Sequence, residues 1–171
     1  MRLEQVELRR VTLPLRFPFE TSFGRTTTKR FLLVSASADG VTGHAECVAD
    51  VDPFYLPETN ETALHVLRDF LVPVAFDREI AHPRELGPAL SRVRGHEMAK
   101  ATLEMAIWDL FANARGESLT KTLGGEAKAT IPAGVSIGLQ ASTEALLERV
   151  RIEVAAGYRR IKIKIKPGKD L

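Results

Sequence analysis

Cysteine is almost missing from this sequence. Cys47 is the only one in 171 residues, so no disulfide can form within the chain and a reducing cytoplasm is the expected setting. A strong excess of charge is missing too. The formal net charge is +2, too small to imply nucleic acid, and isoleucine separates most of the basic residues after Tyr158. No apolar run is long enough to span a membrane, and the N-terminus lacks the apolar core of a signal peptide. There is no repeat and no low-complexity tract. His65, His82 and His96 are scattered singly, without metal-ligand spacing to another His or Cys, and are expected on the surface or at helix caps. What remains is an ordinary soluble composition, 44% hydrophobic and 27% charged, with enough chain for one sizeable domain or a small domain plus part of another.

Against that background one stretch stands out: Arg160-Ile161-Lys162-Ile163-Lys164-Ile165-Lys166-Pro167-Gly168. Side chains two apart on a strand share a face, so Lys162, Lys164 and Lys166 point one way and Ile161, Ile163 and Ile165 the other. In an α/β barrel the isoleucines would pack under helices and the lysines would enter the interior. A lysine there either pairs with a carboxylate or loses its proton easily, which is how an amine serves as a base near neutral pH. The same alternation also describes an exposed antiparallel strand whose lysines discourage edge pairing.

Taken in order, the chain opens with a loosely alternating strand from Leu3 to Leu15, ended by Pro14 and Pro18. The segment Arg16 to Arg25 then reads as a loop carrying Phe17, Phe19 and Phe23, either folded back on its own core or placed as a lid over a ligand. Arg30–Ala38 and Val41–Cys47 flank Asp39-Gly40, a strong hairpin signal, which completes a three-stranded antiparallel meander. A second loop, Val48 to Pro57, contains Asp50, Asp52, Phe54 and Tyr55. Thr59 and Asn60 cap a helix with Ala63, Leu64, Leu67, Phe70 and Leu71 on one face, stopped by Pro73. His82-Pro83 starts a short helix through Leu90 and Val93. The strongest helix spans Glu97 to Asn113, with Met98, Ala101, Met105, Trp108 and Ala112 on one stripe, widened by Ile107 and Phe111; Asp109 reads as a helix-side polar contact.

From residue 129 the rhythm changes. A strand over Thr130–Ile137 is followed by a helix from Ser142 and Thr143 to Ala156, with Leu146, Val150 and Val154 inward, and then by the lysine strand. Strand, helix and strand of this length imply a parallel pair. The expected architecture is therefore an α+β domain over residues 1–125, followed over 126–171 by the opening of a parallel α/β domain that looks interrupted at Leu171.

These residues resemble a known family. Ala101-Thr102-Leu103-Glu104-Met105-Ala106-Ile107-Trp108-Asp109-Leu110 with Leu123-Gly124-Gly125 resembles the closing helix of the enolase-superfamily capping domain. Gly157-Tyr158 leading into Ile161-Lys162-Ile163-Lys164 resembles the Lys-x-Lys strand of its muconate-lactonising-enzyme subgroup. Pro18 to Gly24, Gly43-His44-Ala45-Glu46-Cys47, Gly134-Val135-Ser136-Ile137-Gly138 and Ile161 to Gly168 are similar to the N-acylamino acid racemase / o-succinylbenzoate synthase branch. The resemblance runs the length of the chain. It implies an α+β cap followed by the first βαβ of a (β/α)7β TIM-like barrel, left incomplete here.

The resemblance also implies a reaction: removal of the proton α to a carboxylate, giving an enediolate stabilised by Mg²⁺ or another divalent metal. It implies that Lys164 is the base and that Lys162 acts electrostatically beside it, with Lys164-x-Lys166 as a rival register. Ser136, Phe19, Phe23 and Tyr55 fall at substrate-contact positions. No acidic residue here matches the metal ligands, which the resemblance places beyond Leu171. The expected partner is a small-molecule carboxylate, an N-acylamino acid or the o-succinylbenzoate precursor, with a homo-oligomer when complete and neither nucleic acid nor membrane. The chain alone is expected to be an inactive fragment. Dipeptide epimerase and muconate cycloisomerase share the motif, and a non-catalytic assembly module with solvent-exposed lysines is the alternative of another class.

Overall fold

Asp39 and Gly40 both adopt the left-handed backbone, at φ 51° and 74°, the requirement of a two-residue hairpin turn that matches strand twist. They join β2 (Arg25–Ala38) to β3 (Val41–Cys47), which pair antiparallel from Ala38↔Val41 to Leu32↔Cys47. With β1 (Gln5–Glu20) they form a three-stranded sheet in the order β1-β2-β3. The computed structural model describes residues 1–22, 24–126, 128 and 130–168. The chain divides into two compact units, Met1–Thr12 with Arg30–Ala127 and Leu13–Lys29 with Lys128–Leu171. β1 and β2 contribute residues to both.

β1 is longer than its prolines suggested. It continues through Pro14 and Pro18 to Glu20, so much of the expected aromatic loop is strand. The reason is its edge position: a strand with one free side tolerates residues that cannot donate to a ladder.

The core of the first unit lies between this sheet and the helices. On β2, Leu32, Val34, Ala36 and Ala38 alternate inward and are almost wholly buried. Helices α1 (Asn60–Val66) and α2 (Val72–Phe76) supply Ala63, Val66 and Ala75, and the segment between them supplies Leu67 and Leu71. Thr59 caps α1 in a reciprocal box with Thr62. Pro73 does not stop this helix. The turn Leu67–Leu71 widens to a π-helix, with Val72 N–H donating to Leu67 O, and the chain runs on to Phe76. A proline inside an α-helix collides with the carbonyl four residues back, and one wide turn before it relieves that collision. Phe70, expected inward, is about half exposed.

His82 caps a short 3-10 turn, Pro83–Glu85, by accepting from Arg84 N–H; α3 (Leu86–Leu90) follows, and Val93 falls outside it. The long helix α4 (Glu97–Ala114) packs on β3. Its buried face is Ala99, Thr102, Leu103, Ala106, Ile107, Leu110 and Ala112. The expected stripe is therefore rotated: Ala101 and Met105 are exposed and Trp108 is half-buried. Small residues decided this. Ala106 lets the helix backbone approach Gly43 of β3 closely enough that no side chain larger than hydrogen fits there.

Two carboxylates fix α4. Asp109 Oδ2 accepts from His44 N–H at 2.8 Å and from Asn113 Nδ2 at 3.3 Å, covering an N–H on edge strand β3. Glu58, buried, accepts from Met98 N–H at 2.9 Å and Ala99 N–H at 2.8 Å. It closes the positive end of the helix from another part of the chain. A four-residue helix, α5 (Leu119–Thr122), follows with Ser118 as its cap.

In the second unit, β4 (Gly134–Ile137) and β5 (Arg160–Ile163) form a parallel pair, connected by α6 (Thr143–Ala155) with Ser142 as N-cap. β4 is shorter than expected: Ile131 is 80% exposed and precedes the paired residues. The ladder extends only as far as β5 offers partners, from Gly134↔Arg160 to Ile137↔Ile163. α6 shields Leu146, Arg149, Val150 and Glu153 most. Val154, expected inward, is exposed. Glu153 takes the inward position because Arg149 neutralises it at 2.5 Å. The cap followed by a parallel pair is the fold expected for a capping domain and the start of a barrel. No helix among the described residues is long and apolar enough to cross a membrane.

Candidate active site

The site is built at the C-terminal end of the parallel pair. Register pairing sets Ser136 beside Lys162, and paired residues of adjacent strands share a face. The pairing runs one residue past β5, since Lys164 N–H donates to Ile137 O at 3.1 Å. That bond holds the Lys164 backbone while its side chain lies on the same side as Lys162. Ile161 and Ile163 share the other side with Val135 and with Ile137, which is buried.

The end of β1 lies against this pair within the same unit. Leu139 N–H donates to Glu20 O at 3.1 Å. A Cβ on Gly138 would stand 3.2 Å from both Glu20 N and Glu20 O, so a side chain there would push the end of β1 back by a few tenths of an ångström. Phe19 then presents its ring to Lys164, whose Nζ is 6.0 Å from the ring centre. Phe17, two residues earlier, lies under the Arg149 guanidinium at 5.0 Å. Lys166 Nζ is 3.9 Å from Glu20 Oε1.

The three lysines thus have different surroundings. Lys162 is exposed and Lys164 half-buried, and among the described residues neither has a carboxylate partner; Lys166 has Glu20. Lys164 also borders a cavity of about 170 Å³. Its other walls are the loop from Leu139 to Ala141, the first turn of α6 from Ser142 to Leu146, and Gly168. In that turn Glu144 is held below the usual carboxylate range, chiefly by a hydrogen bond from its own backbone N–H and also by one from Ser142.

Of the residues singled out from sequence, the structure brings Phe19 to Lys164 and Ser136 to Lys162. Tyr55 lies in the first unit, 69% exposed, on the loop between β3 and α1. Phe23 lies outside the described residues. Glu20, Arg149 and Gly138 were not assigned a role in the site from sequence. Glu20 looked like an ordinary strand-end acid, and only the chain's return through β4 and β5 gives it a partner.

A divalent metal does not fit the residues present. Among the described residues no three His, Cys, Asp or Glu side chains gather where one ion could bind them. The described acids of the second unit are otherwise engaged: Glu20 with Lys166, Glu148 with Arg151, Glu153 with Arg149, and Glu144 at the helix start.

An α+β cap followed by a parallel pair is the arrangement of a capping domain and the start of a barrel, the class of fold found in enolase-superfamily enzymes. Comparison with known proteins identifies the family: residues 4–124 match the N-terminal domain of the mandelate racemase / muconate lactonizing enzyme family, and the chain belongs to it. It is 47% identical over 170 residues to an o-succinylbenzoate synthase of Geobacillus kaustophilus, covering 99% of this chain and 45% of that protein. It is 45% identical over 170 residues to an N-succinylamino acid racemase of Thermus thermophilus, covering 99% of this chain and 46% of the other. A solved enolase-superfamily structure from Listeria innocua superposes with a TM-score of 0.92 at 39% identity, over 100% of this chain and 46% of that one. The chain spans about half the length of the curated relatives it matches.

Proposed function

We propose that this chain is the N-terminal part of a divalent-metal-dependent N-acylamino acid racemase / o-succinylbenzoate synthase. In this reading residues 1–125 are the cap and 126–171 open the barrel. The complete protein is a cytoplasmic homo-oligomer acting on small carboxylates. The names of the similar proteins, o-succinylbenzoate synthase and N-succinylamino acid racemase, support the substrate class.

The supporting observation is the position of Lys164. It stands at the C-terminal end of the parallel pair, half-buried, without a carboxylate partner among the described residues, and faces Phe19. The contact with Phe19 orients the lysine head while its Nζ stays uncommitted to any carboxylate among the described residues. Lys164 as the free amine takes the proton from the carbon α to the substrate carboxylate. The C–H electron pair moves into the carboxylate, giving an enediolate, and Lys164 becomes an ammonium. Inversion needs a proton delivered to the opposite face by a second acid, which this reading assigns to the half of the protein outside this chain; expelling hydroxide from the neighbouring carbon, protonated to water by the Lys164 ammonium, completes a dehydration instead. Lys162, on the same side of the strand, keeps a positive charge near the developing dianion. Ser136 beside it, with Phe19, Phe23 and Tyr55, contacts substrate.

The divalent ion used in this superfamily finds no ligand set among the described residues, so its ligands are assigned to the half of the protein outside this chain. The chain by itself is therefore inactive in this reading. The test is α-proton exchange into an N-succinylamino acid in D₂O by the complete enzyme. Lys164→Ala should lower exchange by about 10²–10⁴-fold, the range that a positioned general base supplies. Exchange at the wild-type rate in Lys164→Ala overturns the proposal.

A further inference from the structure

We infer that Glu20 is a positioning residue that sorts the lysines of the final strand and seats Phe19 on Lys164. This inference rests on the reading of Lys164 as the base. Lys162, Lys164 and Lys166 are equivalent in sequence: the same amine, two residues apart, on one alternating run. A strand that supplies one base must keep the neighbouring amine from competing for substrate. Glu20 does so for Lys166, with Oε1 3.9 Å from Nζ. Attraction between the opposite charges draws the Lys166 head toward Glu20. The rival pair Lys164-x-Lys166 is thereby removed, and Lys162-x-Lys164 remains.

The same residue fixes the flap. Its carbonyl accepts from Leu139 N–H at 3.1 Å, and its backbone passes 3.2 Å from where a Cβ on Gly138 would lie. Phe19 is the adjacent residue, and its ring faces Lys164 Nζ at 6.0 Å. Two residues earlier, Phe17 rests on Arg149, which is itself held by buried Glu153 at 2.5 Å. The end of β1 is thus held by Glu20 on one side and by Phe17 on the other, with Phe19 between them. Glu20 and Lys166 are each more than a third exposed or close to it, at 39% and 34%. An ion pair so exposed adds little to stability. Its effect is on where Lys166 and Phe19 stand.

The test is a double-mutant cycle in the complete enzyme, using Glu20→Gln, Lys166→Gln and the double variant, with N-succinylamino acid as substrate. Each single substitution should lower kcat by about tenfold, within the range a displaced reacting group costs. The double variant should fall no further than either single, because both remove one interaction. Lys166→Arg, which keeps the charge, should retain the wild-type kcat, and thermal midpoints should stay level throughout. Unchanged kcat in both single variants overturns the inference. So do losses that multiply in the double variant, a Lys166→Arg variant as slow as Lys166→Gln, or losses that follow the thermal midpoint. Lys164→Ala run alongside separates the two readings. If it is inactive while Glu20→Gln is unaffected, only the role of Glu20 fails; if it is fully active, the base assignment fails and this inference with it.

Discussion

Gly43 of β3 and Leu110 of α4 meet backbone to backbone. A Cβ on Gly43 would lie 2.6 Å from Leu110 Cα and closer still to Leu110 N and the Ala106 carbonyl oxygen. No side-chain rotation relieves such a contact, because the atoms it meets are main chain.

Gly43→Ala should therefore force α4 off the sheet. Overpacking of this kind costs about 1–3 kcal/mol and occasionally more. A urea or thermal unfolding curve measures it. A variant as stable as wild type would mean that the helix is not seated as described.

Glu58 makes a second point of attachment. Glu58→Ala leaves the N–H groups of Met98 and Ala99 without their acceptor, at a cost of about 1–3 kcal/mol for the unsatisfied donors. Glu58→Gln keeps one carbonyl oxygen and should lose less. Amide hydrogen exchange at Met98 and Ala99 checks the assignment directly, since those two amides should lose protection first in Glu58→Ala.

Asp69 gives the cap a dependence on pH. Hydrogen bonding from Arg68, with a smaller contribution from His65, holds its carboxyl at about 2, below the usual carboxylate range. A depressed folded-state value means stability that is present above the unfolded value, about 3.9, and that disappears as pH falls through the folded value. Unfolding midpoints should drop between about pH 4 and 2, and Asp69→Asn should flatten that part of the profile. Because the group is exposed, added salt should shrink the effect. A profile identical in Asp69→Asn would show that Asp69 contributes nothing there.

Phe19 provides the apolar wall beside Lys164. In the complete enzyme Phe19→Ala should lower kcat/KM by about 10–200-fold, the range for lost apolar contact in a pocket, and Phe19→Leu should retain more of it. Equal kcat/KM in all three proteins would mean that this ring does not meet substrate.

Much of the fold was legible because its signals are local. Asp39-Gly40 dictated the hairpin, Thr59 and Ser142 capped the helices they were expected to cap, and strand–helix–strand over β4, α6 and β5 required a parallel pair. Some of the misread features depended on neighbours distant in sequence, and others on local adjustments that residue pattern does not announce. Pro14 and Pro18 looked like terminators, but an edge strand tolerates them. Pro73 looked like a stop, but a π-turn absorbed it. The expected face of α4 ran through Met98, Ala101, Met105, Trp108 and Ala112, whereas in the molecule the helix turns Ala106 toward Gly43. Val154 appeared to be the inward residue of α6 until Arg149 made Glu153 the cheaper one to bury.

For the candidate site, the sequence determined which residues carry the chemistry-bearing groups and which share a side of the strand, because alternation in a strand is a property of the backbone alone. Alternation by itself gives Lys162, Lys164 and Lys166 one side in common, and only the family resemblance singles out Lys164 among them. Tertiary structure separated them, because an amine's surroundings are set by whatever lies across from it. Here that is Glu20 for one lysine and Phe19 for another, both brought from the other end of the chain.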